Sequence, residues 1–273
     1  MSRREFTDSV VVVTGAASGI GRATAIAFAA RGARLAISDV DEDGLAETRG
    51  HIEDLGREVH TARVDVADRD AVNAWADEVI AHFGTVNVVV NNAGVAMVAP
   101  IKHMSYEDLR WLMDINFWGV VHGTMAFLPH LEDAAWGHVV NISSVFGIIA
   151  VPGQAAYNAA KFAVRGYTEC LRQELEREGS SVSATSVHPG GIRTEIARNA
   201  RIGAPTEVVG EKASLARRFD KMAKTSPEDA ARVIVRAVEK DQPRLLIGAD
   251  AYVIDQIQRW LPTSYRALTK KLA

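Results

Sequence analysis

The sequence is poor in cysteine and in long apolar runs. Its single cysteine, Cys170, excludes an internal disulfide and a cysteine-rich metal site, which indicates a reducing, cytoplasmic setting. We expect Cys170 to be a small buried residue of a helix over residues 153–177. No stretch reaches the ~18 uninterrupted apolar residues of a membrane span. The first eight residues also lack the apolar segment of a signal peptide.

The sequence also lacks a large excess of either sign of charge, which gives no case for a nucleic-acid partner. The net charge is −3, divided into −9 over residues 1–190 and +6 over residues 191–273. The basic C-terminal part leaves open contact with a membrane surface or an acidic partner. A solvated face is the favoured interpretation of these charges.

What the sequence does contain is a regular alternation of strand and helix patterns. Val10–Val13 is a short β-branched run of the type that is buried on both faces of a parallel sheet. Six more strand patterns follow, separated by helical patterns, one of which runs from Ser105 to about Leu128 before Pro129. This order predicts an α/β fold with right-handed βαβ units. We expect one domain over residues 1–273, a Rossmann-type doubly wound parallel sheet of about seven strands with helices on both faces.

Ligands of such sheets bind beyond the carboxyl ends of the strands, and the loop after the first strand is rich in glycine. Glycines allow a tight turn and close approach of a pyrophosphate, and the following helix N-terminus offers free N–H groups. A strand before the turn and a helix after it favour phosphate binding over a merely structural turn. The candidate phosphate-binding residues are Gly15, Ser18, Gly19, Ile20 and Gly21.

Asp39 ends the second strand pattern, where its carboxylate could accept hydrogen bonds from both ribose hydroxyls of an adenosine. The same charge would repel a 2′-phosphate. Ser18 precedes Gly19, and Val40 and Asp41 follow Asp39, so no basic residue attracts such a phosphate there. The pattern therefore indicates NAD rather than NADP. Arg22 is the one basic residue that could weaken this preference for NAD, and we expect its side chain to point to solvent or to phosphate.

The loops after the later strands supply further polar groups at the same sheet edge. The loop with Asp65 and Val66 is placed to meet an adenine edge. The loop from Asn92 to Gly94 is small and polar, although its composition alone would suit a turn. The loop with Pro189 and Gly190 reverses the chain at a rigid turn. His188 adjoins that rigid turn, so we expect a structural role for it rather than that of a base. The residues of these three loops are Asp65 and Val66, then Asn92, Ala93 and Gly94, then Pro189 and Gly190.

Tyr157 and Lys161 lie four residues apart in the long helical pattern of residues 153–177, and therefore on one face of it. A neighbouring ammonium would lower the tyrosine pKa from ~10 towards neutrality and make Tyr157 a general acid/base. Tyrosine and lysine at this spacing are also common on solvated helices. Ser144, at the end of the fifth strand pattern, could bond a substrate oxygen beside them.

Taken together, these motifs resemble the short-chain dehydrogenase/reductase family over roughly residues 8–195. The resemblance implies that Tyr157 exchanges a proton with the substrate oxygen and that Lys161 holds the nicotinamide ribose. It implies that Ser144 stabilises developing charge, as an oxyanion hole does, and that Asn116 binds a water of a proton relay. It further implies that Ile192 and Thr194 contact the nicotinamide carboxamide, and that NAD supplies the hydride chemistry.

The function expected from this resemblance is hydride transfer between NAD(H) and a secondary alcohol or ketone. The loops over residues 95–98 and 145–151 are apolar and hold no charge, so a lipophilic small molecule is the expected substrate. Two alternatives stay open. One is a catalytically silent NAD-binding regulatory or scaffold protein, and the other is an NADP-dependent reductase of a small polar carbonyl.

The regions outside the motifs are expected to govern substrate access and assembly. The 31 residues between Thr194 and Ser226 suit a substrate lid over residues 195–226. Residues 249–273 form an amphipathic extension where many family members have a glycine-containing ending. A packing or oligomer helix is the favoured interpretation, with a pocket wall or peripheral membrane contact as alternatives. We expect a homodimer through the helices over residues 105–128 and 153–177, or a homotetramer.

Overall fold

A seven-stranded parallel sheet forms the centre of the protein in a computed structural model, which describes residues 4–211, 214, 217 and 223–269. Its strands are β1 (Val10–Thr14), β2 (Arg34–Asp39), β3 (Val59–Arg63), β4 (Val88–Asn91), β6 (Gly137–Ile142), β7 (Val182–Pro189) and β9 (Arg244–Ile247). Their order across the sheet is β3-β2-β1-β4-β6-β7-β9. This confirms the Rossmann-type α/β fold.

Helices cover both faces of the sheet. They are α1 (Gly19–Ala29), α2 (Glu42–Asp54), α3 (Arg69–Phe83), α4 (Tyr106–Met113), α5 (Gly119–Glu132), α6 (Ala155–Glu178), α7 (Thr206–Val209), α8 (Pro227–Glu239), α9 (Ala249–Trp260) and α10 (Arg266–Thr269). Short 3₁₀ turns occupy Ile101–His103 and Val145–Gly147.

The first strand shows why the sheet needs two helical layers. All four residues of Val10–Val13 are fully buried, and successive side chains point to opposite faces. Val11 and Val13 pack in the core that contains Phe28 of α1, whereas Val10 and Val12 pack in the core that contains Trp75 of α3. Burial of apolar surface on both faces stabilises the parallel sheet.

Side-chain caps fix where several helices begin. The Asp68 carboxylate accepts hydrogen bonds from two amides in the first turn of α3. Ser105 caps α4, and Ser226 caps α8, which has Pro227 at its first position. The start of α4 after Ser105 agrees with the sequence pattern.

The helix expected over residues 105–128 is wrong in two respects. It is divided by a π-helical segment, Asp114–Trp118, and it continues through Pro129 to Glu132. Proline inside a helix removes the hydrogen bond to the carbonyl four residues earlier. That residue is Met125, which is 66% exposed and therefore lies on the outer face of the helix.

The burial expected for Cys170 is also wrong, because the thiol is exposed. Leu171 and Leu175 are the residues of α6 that pack under the sheet. Cys170 lies one position before Leu171, about 100° around the helix, and therefore on the outer face. Its Sγ atom lies 3.4 Å from the Glu174 carboxylate, which raises the pKa of the Cys170 thiol.

A second, two-stranded sheet pairs β5 (Met97–Val98) with β8 (Arg201–Ile202), which the sequence pattern does not predict. The Arg201 guanidinium stacks 3.6 Å from the centre of the Trp111 ring and donates to Asp108 Oδ1 over 3.0 Å. The start of the expected lid is therefore attached to α4. The rest of that lid falls partly outside the described residues, as do residues 270–273 of the C-terminal extension.

Among the described helices, none is both long and apolar enough to cross a membrane.

Candidate active site

The glycine-rich turn packs directly against the loop that follows β4. Gly15 has φ +66°, and a Cβ atom there would lie 2.6 Å from Ala93 Cα. A Cβ atom at Gly21 would lie 2.0 Å from the Gly15 carbonyl oxygen. Both positions therefore require glycine. The turn is a compact backbone surface at the start of α1, bordered by the side chains of Asn92 and Thr194.

The loop after β4 is fastened to this turn by hydrogen bonds. The amides of Asn92 and Ala93 both donate to Thr14 Oγ1, over 3.0 and 3.1 Å. The Asn92 side-chain amide donates to the carbonyl groups of Thr14 and Gly15. Asn92 is therefore a structural link between two loops that sequence reasoning treated as separate binding loops.

The N-terminus of α1 is suited to bind an anion. Ser18 occupies its N-cap without a side-chain hydrogen bond, and the first turn holds no acidic residue. Its first amide groups are not capped by this side chain, and the positive end of the helix dipole is not neutralised. Thr194 lies beside this N-terminus, since a Cβ atom at Gly19 would approach Thr194 Cγ2 to 3.0 Å.

Arg22 does not point to solvent or to phosphate, contrary to the expectation. Its guanidinium donates to the carbonyl groups of Ala17 and Gly44 and to Thr48 Oγ1, and it pairs with Glu47 over 2.8 Å. These partners belong to the turn and to α2, which packs beside α1. Arg22 therefore fastens the glycine-rich turn to α2.

The Asp39 carboxylate lies against the other side of the same turn. Its Oδ2 atom accepts from the Ala17 amide over 2.9 Å. Its Oδ1 atom accepts from the amides of Val40 and Asp41 over 2.7 and 3.1 Å. These bonds fix the carboxylate at the end of β2. Each oxygen keeps acceptor capacity for a hydroxyl group.

Asp65 and Val66 follow β3 at the same edge. Asp65 Oδ1 accepts from the Ala67 amide over 3.0 Å. The Val66 carbonyl accepts from His122 Nδ1 over 3.0 Å, which fixes this loop against α5. His122 is a positioning contact that the sequence pattern did not reveal.

Tyr157, Ser144 and Lys161 come together at the end of β6. The Ser144 hydroxyl lies beside Tyr157, where it lowers the pKa of the tyrosine, and it accepts from the Phe146 amide over 3.1 Å. Its own proton can therefore be donated to Tyr157 or to a substrate oxygen. The Lys161 ammonium lies 5.6 Å from the centre of the Tyr157 ring and donates to the Ile142 carbonyl over 2.9 Å.

The pKa of Tyr157 differs from the sequence-based expectation. Burial raises the pKa of Tyr157 to about 12, and the Ser144 hydrogen bond only partly opposes this rise. Burial also lowers the pKa of Lys161 to about 8. Desolvation disfavours the charged form of both groups. The four-residue spacing alone predicts the opposite direction for the pKa of Tyr157, because it takes no account of burial.

Asn116 is fully buried in the π-helical segment between α4 and α5. Its side-chain amide exchanges two hydrogen bonds with the backbone of Val95, over 2.7 and 2.8 Å. A Cβ atom at Gly94 would lie 3.2 Å from Asn116 Oδ1 and 3.6 Å from Lys161 Nζ. Asn116 and Lys161 therefore border the same small space.

His188 is fully buried and structural in its contacts, as expected. Its Nδ1 atom lies 3.2 Å from the Ser144 carbonyl oxygen, which can only accept, so Nδ1 carries the proton. Nε2 then accepts from the Ser186 hydroxyl over 3.0 Å. Burial lowers the pKa of His188 to about 4, which keeps the ring neutral at physiological pH.

Asn158 is a positioning residue that sequence reasoning missed. Its side chain donates to the carbonyl groups of Phe146 and Ile149 and accepts from the Val151 amide. Three backbone groups of the loop after Ser144 are thus bonded to α6. The only sequence signal is the place of Asn158 between Tyr157 and Lys161.

The apolar loops near Tyr157 are only partly available to a substrate. Ile148, Ile149 and Val151 are buried in a cluster with residues of the C-terminal segment. Phe146 is partly buried and meets the Tyr157 ring edge-on at 6.0 Å. Val95 is also partly buried and packs in the cluster that contains Tyr157. Phe146 therefore borders the tyrosine ring, and Val95 belongs to the same cluster as Tyr157.

The last of the expected contacts follow β7, whose final residue is Pro189. Ile192 is buried and forms a bridge with Thr225. The Gly191 amide donates to the Asp250 carboxylate over 2.7 Å. Pro189, Gly190, Ile192 and Thr194 therefore form one turn at the same sheet edge as Tyr157.

Comparison with known proteins finds similar sequences and similar folds. Residues 9–204 match the family model described as short chain dehydrogenase. The chain is 50% identical over 264 residues to the Mycobacterium tuberculosis protein SadH, whose name describes it as an oxidoreductase. That match covers 96% of the chain and 94% of SadH.

Two solved structures contain a similar fold together with NAD. One is a short chain dehydrogenase/reductase from Burkholderia phymatum, 30% identical, with a TM-score of 0.85 over 94% of this chain and 95% of that one. The other is a short chain dehydrogenase from Mycobacterium paratuberculosis, 27% identical, with a TM-score of 0.76 over 89% and 97%.

Proposed function

The chain belongs to the short-chain dehydrogenase family, an oxidoreductase family, and from this premise we propose that it transfers hydride between NAD(H) and a lipophilic secondary alcohol or its ketone. The observation that carries the proposal is the meeting of Ser144, Tyr157 and Lys161 at the edge where the nucleotide loops converge, with Lys161 Nζ 5.6 Å from the centre of the Tyr157 ring. These are the parts that proton transfer at an alcohol oxygen needs.

The residues present fit a dinucleotide. Glycine at positions 15, 19 and 21 keeps the turn free of Cβ atoms, and the N-terminus of α1, which the Ser18 side chain does not cap, suits a pyrophosphate. Gly15, Ser18, Gly19, Ile20 and Gly21 would hold the phosphates, Asp39 the adenosine ribose, and Asp65 and Val66 the adenine. The loop from Asn92 to Gly94 and the turn from Pro189 to Thr194 would flank the nicotinamide half. When bound, NAD supplies the hydride acceptor of the reaction.

Tyr157 and the residues around it would carry out the proton transfer and stabilise the charges that it creates. Tyr157 would take the proton from the alcohol oxygen, or return it to the ketone oxygen. Ser144 would donate a hydrogen bond to that oxygen as negative charge develops. The Lys161 ammonium would stabilise the phenolate and hold the nicotinamide ribose. Asn116 would hold a water molecule through which Lys161 exchanges protons with solvent.

NAD is favoured over NADP by the surroundings of Asp39. The carboxylate repels a second negative charge, and Arg22, the nearby cation in sequence, is engaged by α2 and the turn. Two related structures were solved with NAD. An NADP-dependent reductase would instead need a cation able to reach the 2′-oxygen.

A lipophilic substrate is favoured because apolar side chains border Tyr157, with Phe146 edge-on to its ring and Val95 in the same cluster. We also propose assembly through the helices over residues 105–128 and 153–177, where Trp118, Met125 and Phe162 are 41% to 66% exposed. A homodimer or homotetramer would cover these side chains. The cytoplasmic setting stays a proposal that rests on the single cysteine.

A screen of secondary alcohols, followed by the absorbance of NADH, tests the proposal. Small polar and large apolar alcohols are offered with NAD and, in parallel, with NADP. Faster turnover of large apolar alcohols with NAD is the expected result. Turnover only with NADP and small polar substrates would favour the polar-carbonyl reductase. Tight NADH binding without turnover of any alcohol or ketone would favour a catalytically silent protein.

A further inference from the structure

The C-terminal segment contacts two loops that border Tyr157. Helix α9 begins directly after β9, at the sheet edge that carries the candidate active site. Asp250 lies in its first turn, and Tyr265 lies between α9 and α10. Each of these two side chains accepts a hydrogen bond from the backbone of a different active-site loop.

Asp250 is fitted against the turn that follows β7. Its Oδ2 atom accepts from the Gly191 amide over 2.7 Å. A Cβ atom at Gly190 would lie 2.2 Å from the same oxygen, so the carboxylate fills the space that a side chain at position 190 would need. The turn continues into Ile192 and Thr194, the residues proposed to contact the nicotinamide. Asp250 therefore fixes the backbone from which those two residues extend.

Tyr265 holds the loop that follows Ser144. The Ala150 amide donates to the Tyr265 hydroxyl over 3.2 Å. The Tyr265 ring packs with Ile254 of α9 against the cluster of Ile148, Ile149 and Val151. Asn158 already bonds three other backbone groups of this loop from α6. The loop is thus held from two sides, by α6 and by the C-terminal segment.

Phe146 transmits this restraint to the reaction centre. It lies at the start of the same loop, packs in the same cluster as Tyr265, and meets the Tyr157 ring edge-on. Movement of the Ile148–Val151 loop would therefore alter the space beside Tyr157. Neither Tyr265 nor Asp250 needs to touch a substrate to have this effect.

We propose that Asp250 and Tyr265 are positioning residues of the active site, Asp250 for the nicotinamide-binding turn and Tyr265 for the substrate-side loop. The proposal rests on the proposed function and deepens it. It assigns to the C-terminal segment a part in nicotinamide affinity and in the size of alcohol accepted.

The variant Tyr265→Phe tests the substrate-side half, because it removes the hydroxyl and keeps the ring. Losing one hydrogen bond should change KM for large apolar alcohols by about three- to tenfold. KM for the smallest alcohol accepted, and the Kd of NADH, should stay within twofold. Tyr252→Phe is the matched control, since Tyr252 lies on α9 but is 56% exposed. Equal KM values for the wild type and Tyr265→Phe with every alcohol would overturn this half.

The variant Asp250→Ala tests the nicotinamide-side half. It should raise the Kd of NADH about tenfold and leave the Kd of ADP-ribose, which lacks nicotinamide, unchanged. Asp250→Asn keeps an acceptor for the Gly191 amide and should restore most of the NADH affinity. Asp229→Ala is the control, because Asp229 lies in the first turn of α8 and is also exposed. Equal weakening of NADH and ADP-ribose would mean a merely structural role and overturn this half.

Two of these readouts do not depend on the substrate. If no alcohol is oxidised, the proposed function fails, yet the two Kd values still test Asp250. Hydrogen exchange at the Ala150 amide then tests Tyr265, with faster exchange expected in Tyr265→Phe than in Tyr252→Phe. Unchanged exchange at Ala150 would contradict the proposal.

Discussion

Replacing Lys161 by methionine should slow alcohol oxidation in a way that depends on pH. Lys161 Nζ lies 5.6 Å from the centre of the Tyr157 ring. At an effective dielectric constant of ~20, two unit charges at that separation interact by about 3 kcal/mol, or about 2 pKa units. This is similar in size to the effect of burial, which raises the pKa of Tyr157 to about 12. A charged Lys161 can therefore offset the cost of burying the phenolate.

The charge is present only below the pKa of Lys161, which burial lowers to about 8. At neutral pH, Lys161→Met should reduce the phenolate fraction, and with it kcat/KM for the alcohol, about 100-fold. Above about pH 9 the wild-type lysine is itself largely neutral, so the difference should shrink. Lys161→Arg retains the charge and should keep most of the neutral-pH rate.

The assay is the pH profile of kcat/KM for the three proteins with one alcohol, with the Kd of NADH measured beside it. A ratio of wild type to Lys161→Met that stays constant from about pH 6 to about pH 10 would refute the electrostatic reasoning. It would leave Lys161 with a role in binding alone. A changed Kd of NADH would report the separate contact with the ribose.

Two further predictions concern the ribose site and His188. Asp39→Ala should weaken NAD binding and reduce discrimination against NADP, whereas Asp41→Ala, at the exposed cap of α2, should leave the preference unchanged. An unaltered cofactor preference in Asp39→Ala would remove Asp39 from the ribose site. Burial lowers the pKa of His188 in the folded chain to about 4, below its ordinary value of 6.5. Between these values the unfolded chain binds a proton that the folded chain does not. The free energy of unfolding should therefore fall as pH drops from about 6.5 to about 4, by up to about 3 kcal/mol from this group. Urea unfolding should show a flatter pH dependence in His188→Asn, and an unchanged slope would contradict the assignment.

Local patterns were sufficient to predict the fold and the sheet edge that carries the polar loops. The run Val10–Val13 is buried on two faces, and the glycines after it need backbone freedom. A few consecutive residues are therefore enough to predict both the strand and the turn. Asp39 follows from its place at a strand end. These features depend on the chain near them and not on distant packing.

Features that depend on distant packing could not be predicted in this way. Arg22 is engaged by α2, whose residues lie more than 20 positions away. The raised pKa of Tyr157 comes from burial, which no spacing rule contains. The roles of Asn158 and Tyr265 depend on which loop folds against them. Cys170 was misplaced for a simpler reason, since its position beside Leu171 already sets its face of α6.

Tyr157 is the residue on which the proposed chemistry depends, and one substitution tests it most directly. Tyr157→Phe removes the hydroxyl that exchanges the proton and keeps the ring that packs against Phe146. With an alcohol that the wild type oxidises, we expect no measurable NADH formation by the variant and a Kd of NADH within a few-fold of the wild-type value. NADH formation at a rate close to that of the wild type would contradict the proposed mechanism.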